Sequence, residues 1–129
     1  MTTTINASTS SGIVATADGS GILKVQSNGV TTNALAWVNF AGASGTRNAS
    51  YNVSSVTRNG TGDYTVNFAN ALSDTNYVAV QSTGDASLNG RFAFAYNAAP
   101  TTTTYRFITT TFAGSATDFT YVACAIFGN

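Results

Sequence analysis

The chain has no histidine and no glutamate, and a single cysteine, proline and lysine among its 129 residues. The commonest general base and metal ligand is therefore missing. Neither a Ser-His-Asp nor a Cys-His arrangement can be assembled from these residues. The one cysteine, Cys124, has no partner for an intramolecular disulfide, and its setting in "YVACAIF" reads as a small buried hydrophobe. Charge is scarce as well. Only 8% of residues are charged and the formal net charge is zero, where about 25% is usual. Such a balance gives no basic footprint for nucleic acid or for an anionic membrane. No apolar run approaches the roughly 18 residues of a membrane span. The opening "MTTTINASTSSG" lacks the positive charge and apolar core of a secretory signal. The expectation is a soluble protein, made in a cytoplasm, with neither nucleic acid nor membrane as partner.

The acids are five aspartates, Asp18, Asp63, Asp74, Asp85 and Asp118, scattered along the chain. A glycosidase needs only two carboxylates, so their number alone does not exclude one. Their placement argues for structural use: Asp18 and Asp63 sit in Gly-rich turns, and Asp74 in the turn-like "LSDTNY". No D-x-D-x-D cluster suggests calcium. "DGSGILK" leads into a strand pattern, where a phosphate loop would lead into a helix. The expectation is no enzymatic activity, no metal and no cofactor.

Thr, Ser and Asn fill the polar positions instead. Thr loses rotamer freedom in helices, and Ser and Asn compete for the helical backbone, whereas all three suit strands and turns. An all-β chain follows. "GIVATADGSGILKVQSNG" reads as two short β runs separated by "DGSG" at 18 to 21, with Asn28-Gly29 closing the second. "VTTNALAWVNF", 30 to 40, is the next strand and "AGASGTRNAS" a loop. "YNVSSVT" (51 to 57) and "DYTVNF" (63 to 68) flank "RNGTG" as a hairpin, its turn supplied by Asn59-Gly60 and Gly62. Within it Tyr64, Val66 and Phe68 share one face, expected to be the core, and Thr65 and Asn67 the other. "NYVAVQS" (76 to 82), "RFAFAYN" after Asn89-Gly90, "TYRFITTTF" (104 to 112) and "DFTYVACAIF" (118 to 127) complete the set.

The last run is apolar on both faces, with Phe119, Tyr121, Ala123 and Phe127 on one and Val122, Cys124 and Ile126 on the other. A strand of that kind is central or meets another subunit. Trp37, in "ALAWVNF", is either core or a stacking platform for a sugar ring, and its apolar surroundings favour the core. About eight or nine short antiparallel strands in one domain give a β-sandwich, jelly-roll-like, spanning 12–129, preceded by an extended arm at 1–11.

"AWVNF" (36 to 40), "ASYNVSSVTRNGTGDYTVNF" (49 to 68) and "NYVAV" (76 to 80) together resemble a module of tailed-bacteriophage virion proteins, met in tail fibres, tail-fibre-like proteins and small virion proteins. The ending "YVACAIFGN" is similar to that module's terminal strand, while "AGASGTRNAS" departs from its form, with Arg47 in the place of an arginine. The resemblance implies a structural or adhesive β-module and no catalytic residue. A compact domain with an arm suits a cement or decoration protein of the head, a homotrimer bound to the major capsid protein or another virion protein. The alternative is a tail-fibre or receptor-binding tip that adheres to host-surface carbohydrate. Either way the expected location is the virion. The candidate interface residues are Ile5 of the arm, Ile13 and Val14 of the first β run, the loop arginines Arg47 and Arg58, and Phe119 and Tyr121 of the last strand. Low charge supports self-association, because uncharged polar residues can meet without desolvating ions.

Overall fold

A computed structural model describes residues 22–85, 91–95 and 98–128. The arm, Ile5, Ile13, Val14 and the turns at 18 to 21 and 89 to 90 lie outside the described residues. Among the described residues there are ten strands and no helix. A two-stranded ribbon, β1 (Gln26–Ser27) and β2 (Val30–Thr31), precedes the main body. One sheet takes β3 (Ala36–Phe40), β4 (Arg47–Tyr51), β7 (Val78–Gly84) and β10 (Tyr121–Phe127) in the order β4-β3-β10-β7. The other takes β5 (Val53–Gly60), β6 (Asp63–Phe68), β8 (Arg91–Ala95) and β9 (Thr104–Thr111) in the order β5-β6-β9-β8. Every pairing is antiparallel.

The two sheets face one another across an aromatic core. Phe40 of the first sheet meets Tyr64 and Phe107 of the second, with ring centroids 5.0 and 6.3 Å apart, both edge-on. Edge-to-face packing places the positive ring rim against the negative face and adds to the hydrophobic gain. Val38, Val122, Cys124 and Ile126 fill the first sheet's inner face, and Val66, Phe68 and Tyr105 the second's. The fold is the expected all-β sandwich. Its jelly-roll refinement is not confirmed by this strand order, in which β3-β4, β5-β6 and β8-β9 are sequence neighbours.

Period-two alternation explains the hairpin. Tyr64, Val66 and Phe68 are buried, as expected, while Thr65 and Asn67 are partly open on the outer face. The turn is tighter than "RNGTG" suggested. Asn59 and Gly60 belong to β5, Gly60 opposes Asp63, and Thr61-Gly62 alone form the bend. Gly62 carries it at φ +67°, and an added Cβ would stand 2.5 Å from the Thr109 carbonyl oxygen. At the first hairpin Asn28 and Gly29 supply the bend as expected, at φ 53° and 79°.

Two continuous runs are broken. "YNVSSVT" is divided at Asn52, whose φ of 51° turns the chain from β4 in one sheet to β5 in the other. The Asn52 side chain pays for that bend, accepting the Asn70 N–H at 2.8 Å and donating to the Leu35 carbonyl at 3.1 Å. Likewise 30 to 40 gives β2 and β3 rather than one strand. Before β1, residues 22–25 are not strand. The Asn33 amide stands in for a strand there, accepting from Val25 N–H at 2.6 Å and donating to Leu23 O at 2.7 Å.

Candidate functional site

Two features gather the chemistry on this scaffold: a polar hub at one end of the sandwich and an apolar outer face. The hub is built on Asp118, in the loop leading to β10. Its Oδ1 accepts the Tyr64 hydroxyl at 2.7 Å and the Gly62 N–H at 2.8 Å. Its Oδ2 accepts Arg58 Nη2 at 2.6 Å, and Arg58 Nε lies 3.1 and 3.2 Å from the two carboxylate oxygens. A bidentate guanidinium–carboxylate pair is the strong form of this contact. Burial works against ionisation of Asp118, yet the hydrogen bonds from Arg58, Gly62 and Tyr64 together hold its carboxyl below the usual range. Burial, and then the Asp118 carboxylate, push the Tyr64 phenol well above its ordinary value, so it remains a donor.

Tyr64 is fully buried, and the Asp118 carboxylate is committed to donors within the chain. Chemically, this arrangement fastens the loop before β10 onto the β5–β6 hairpin. Backbone fit tightens the fastening: a Cβ at Gly42 would lie 2.4 Å from the Phe119 carbonyl oxygen and 2.7 Å from the Tyr64 hydroxyl. A second pair, Arg106 to Asp63 at 2.6 and 2.9 Å, ties β9 to β6, and the Arg106 hydrogen bonds hold the Asp63 carboxyl low. Among the described residues no three of His, Cys, Asp and Glu come together.

The outer face of the β3-β10-β7 sheet is different in kind. The strands AWVNF, YVACAIF and VAVQSTG hold no Asp, Glu, Lys or Arg. Register places Trp37, Ala125 and Val80 in one row across the three strands, and Asn39, Ala123 and Ser82 in the next. The two alanines are low ground between Trp37 and Val80, forming a shallow trough of about 280 Å³. At its ends stand Tyr121 and Phe127 of β10, with Val78 beside Phe127. Trp37 is 40% exposed, Tyr121 59%, Val80 55% and Val78 64%.

This placement corrects the reading of Trp37 as core. It shares strand parity with Asn39, and the inward places on β3 go to Ala36, Val38 and Phe40. On β8 Phe92 and Phe94 point outward, while Ala93 packs on the core. The final strand is central, between β3 and β7, yet only one of its faces is buried.

Of the candidate interface residues that lie among those described, Tyr121 alone is on the apolar outer face. Phe119 is corrected: it is core, 3% exposed. It precedes β10, so strand parity does not reach it, and its carbonyl accepts the Gly42 N–H at 3.0 Å. Arg58 is bound within the chain, paired with Asp118. Arg47 donates to the Val53 carbonyl and, at 3.2 Å, to Ser50 Oγ, bracing the corner at Asn52. Cys124 is buried as expected, and burial pushes its thiol up to about 12. The sequence reading missed the outward Val78, Val80, Phe92 and Phe94. Comparison with protein-family models, curated proteins and solved structures gives no match to this chain.

Proposed function

We propose that this chain is a structural protein of a tailed-bacteriophage virion, a capsid cement or decoration protein that self-associates, as a homotrimer, and binds the major capsid protein. The observation that carries the reading is the uncharged outer face of β3, β10 and β7, with its exposed Trp37, Val78, Val80, Tyr121 and Phe127. A contiguous exposed apolar face marks an interaction surface. Its lack of charge fits lasting contact between protein surfaces, since no ion has to be desolvated there. The strings "AWVNF" and "NYVAV", among those that resemble the phage module, fall largely on strands of this face. Nothing in the Asp118 hub argues for turnover, because its groups satisfy one another.

The test is binding of the purified protein to empty phage heads and to intact host cells. Saturable binding to heads alone supports the cement reading. A second reading, a fibre tip that adheres to host glycan, is favoured by the exposed indole of Trp37 beside Asn39 and Ser82. An indole face with neighbouring hydrogen-bonding groups suits a sugar ring. Binding to cells, competed by free host polysaccharide, would favour it and displace the first.

A further inference from the structure

We propose that copies of this chain join head to tail, with the aromatic cluster of Phe92, Phe94 and Phe112 on one copy seated in the Trp37–Val80 trough of the next. The inference rests on the self-association in the reading above and names the surfaces that perform it. Phe112 is 79% exposed, and Phe92 and Phe94 are each 49% exposed. The rings of Phe92 and Phe112 lie 6.1 Å apart and tilted, so the cluster is a joined projection. It stands on the sheet opposite to the trough, since β8 and β9 belong to the second sheet and β3, β10 and β7 to the first.

Size and charge select the occupant. At about 280 Å³ the trough is at the small end of ligand sites, which run from roughly 300 to 1,000 Å³. It has room for one or two aromatic side chains between Trp37 and Val80, over the floor of Ala123 and Ala125. With no charged residue on its three strands, it offers nothing to steer an anionic or cationic ligand. The protein itself carries a fitting plug.

Geometry then separates two modes of pairing. In an isologous dimer, trough would meet trough and the phenylalanine cluster would remain in water on both copies. A head-to-tail contact covers both patches on every copy, and closes into a ring when the rotation permits. The flat face of three strands, about 14 by 23 Å from strand spacing and rise, is well under the roughly 800 Å² per partner of a stable pair. Each head-to-tail contact is no larger than that face, so it is the closure of the ring, with every copy held at two contacts, that makes the assembly stable; a trough-to-trough pair has one small contact and nothing to close.

Two variants test this by light scattering at micromolar concentration: Phe112→Asp, which places a charge on the plug, and Ala125→Arg, which fills the trough. The wild type is expected well above 13.2 kDa, and each variant alone at the monomer mass. Mixed in equal amounts and raised to several hundred micromolar, where one small contact can be filled, they are expected to form a one-to-one pair, the intact plug of Ala125→Arg seated in the intact trough of Phe112→Asp. A wild type at the monomer mass overturns the proposal. So does a mixture that stays monomeric at that concentration, and so does a Phe112→Asp variant that dimerises on its own, the result a trough-to-trough contact gives, or a pair of variants that keep the wild-type mass. Urea unfolding of each variant checks the fold. Ser82→Arg, on an exposed position of the same trough, replaces Ala125→Arg if the latter does not fold. Head binding is scored separately: a monomer that binds heads refutes only the contact, and a ring that ignores both heads and cells refutes only the virion reading.

Discussion

The Tyr64 hydroxyl donates to Asp118 Oδ1 at 2.7 Å, joining residues 54 positions apart in the chain. This one bond connects the centre of the aromatic core to the ion pair at its rim. Removing the acceptor leaves the Tyr64 hydroxyl and the Gly62 N–H without their partner in a poorly solvated place. Asp118→Ala is therefore expected to cost about 2 kcal/mol or more, and Tyr64→Phe, which removes a donor and leaves a carboxylate with other donors, about 1 kcal/mol. Urea unfolding of both single variants and of the double variant checks it. A double variant whose loss equals the simple sum would show that the two residues are not coupled.

The pH profile of stability follows from which groups are shifted. Asp63 and Asp118 are held below the ordinary value of 3.8 in the folded protein. A depressed folded value gives stability that is present above the unfolded value and lost as pH falls through the folded one. The acid limb should thus lie below about pH 4. At the alkaline end Tyr77 and Cys124 are both raised by burial to about 12, from 10.0 and 9.0. A raised folded value gives stability that is full below the unfolded value and lost as pH climbs through the folded one. Loss should begin near pH 9 and deepen towards 12. With no histidine in the chain, the stretch between should be a plateau from about pH 5 to 8. A titration step near pH 6.5 in urea midpoints would contradict this account.

Two glycines at positive φ should respond very differently to alanine. Gly29, at +79°, has nothing within 4 Å of an added Cβ, so Gly29→Ala bears only the backbone cost, about 1 to 2 kcal/mol. Gly62, at +67°, would place its Cβ 2.5 Å from Thr109 O and 2.7 Å from Thr117 N. Both are backbone atoms, and Gly62 N–H is also a donor to Asp118. Gly62→Ala should cost roughly 2 kcal/mol more than Gly29→Ala. Thermal unfolding of the pair of variants measures the difference.

Alternation made the strands legible, and with them the sandwich, because one buried face imposes a period of two wherever it occurs. What alternation does not state is which parity points inward. For β6 the apolar set is unambiguous, and Tyr64, Val66 and Phe68 are core. For β3 both parities carry an aromatic residue. The signal for Trp37 was Asn39, which shares its face. On β8 size misleads, since Ala93 faces inward and the larger Phe92 and Phe94 outward. The corner at Asn52 was hidden within a run that alternates smoothly, although Asn tolerates the left-handed region better than its neighbours. The Asp118 hub was out of reach, because Arg58 and Asp118 are 60 positions apart and no local pattern joins them.

Trp37 and Phe40 lie three residues apart on one strand and should behave as opposites. Phe40 is wholly buried, packed edge-on against Tyr64 and Phe107. Its removal opens a cavity among rings that have little freedom to close it. Phe40→Ala should cost about 3 to 5 kcal/mol. Trp37, 40% exposed, stands on the opposite face over Ala125 and loses mainly contact with its own sheet surface when removed. Trp37→Ala should cost about 1 kcal/mol or less in urea unfolding at a protein concentration low enough to keep copies apart. As the sole tryptophan, it also reports its own surroundings: its fluorescence should be readily quenched by acrylamide in dilute protein. An indole shielded from acrylamide in the monomer, with a Trp37→Ala cost equal to that of Phe40→Ala, would place Trp37 in the core and reverse the orientation of the first sheet.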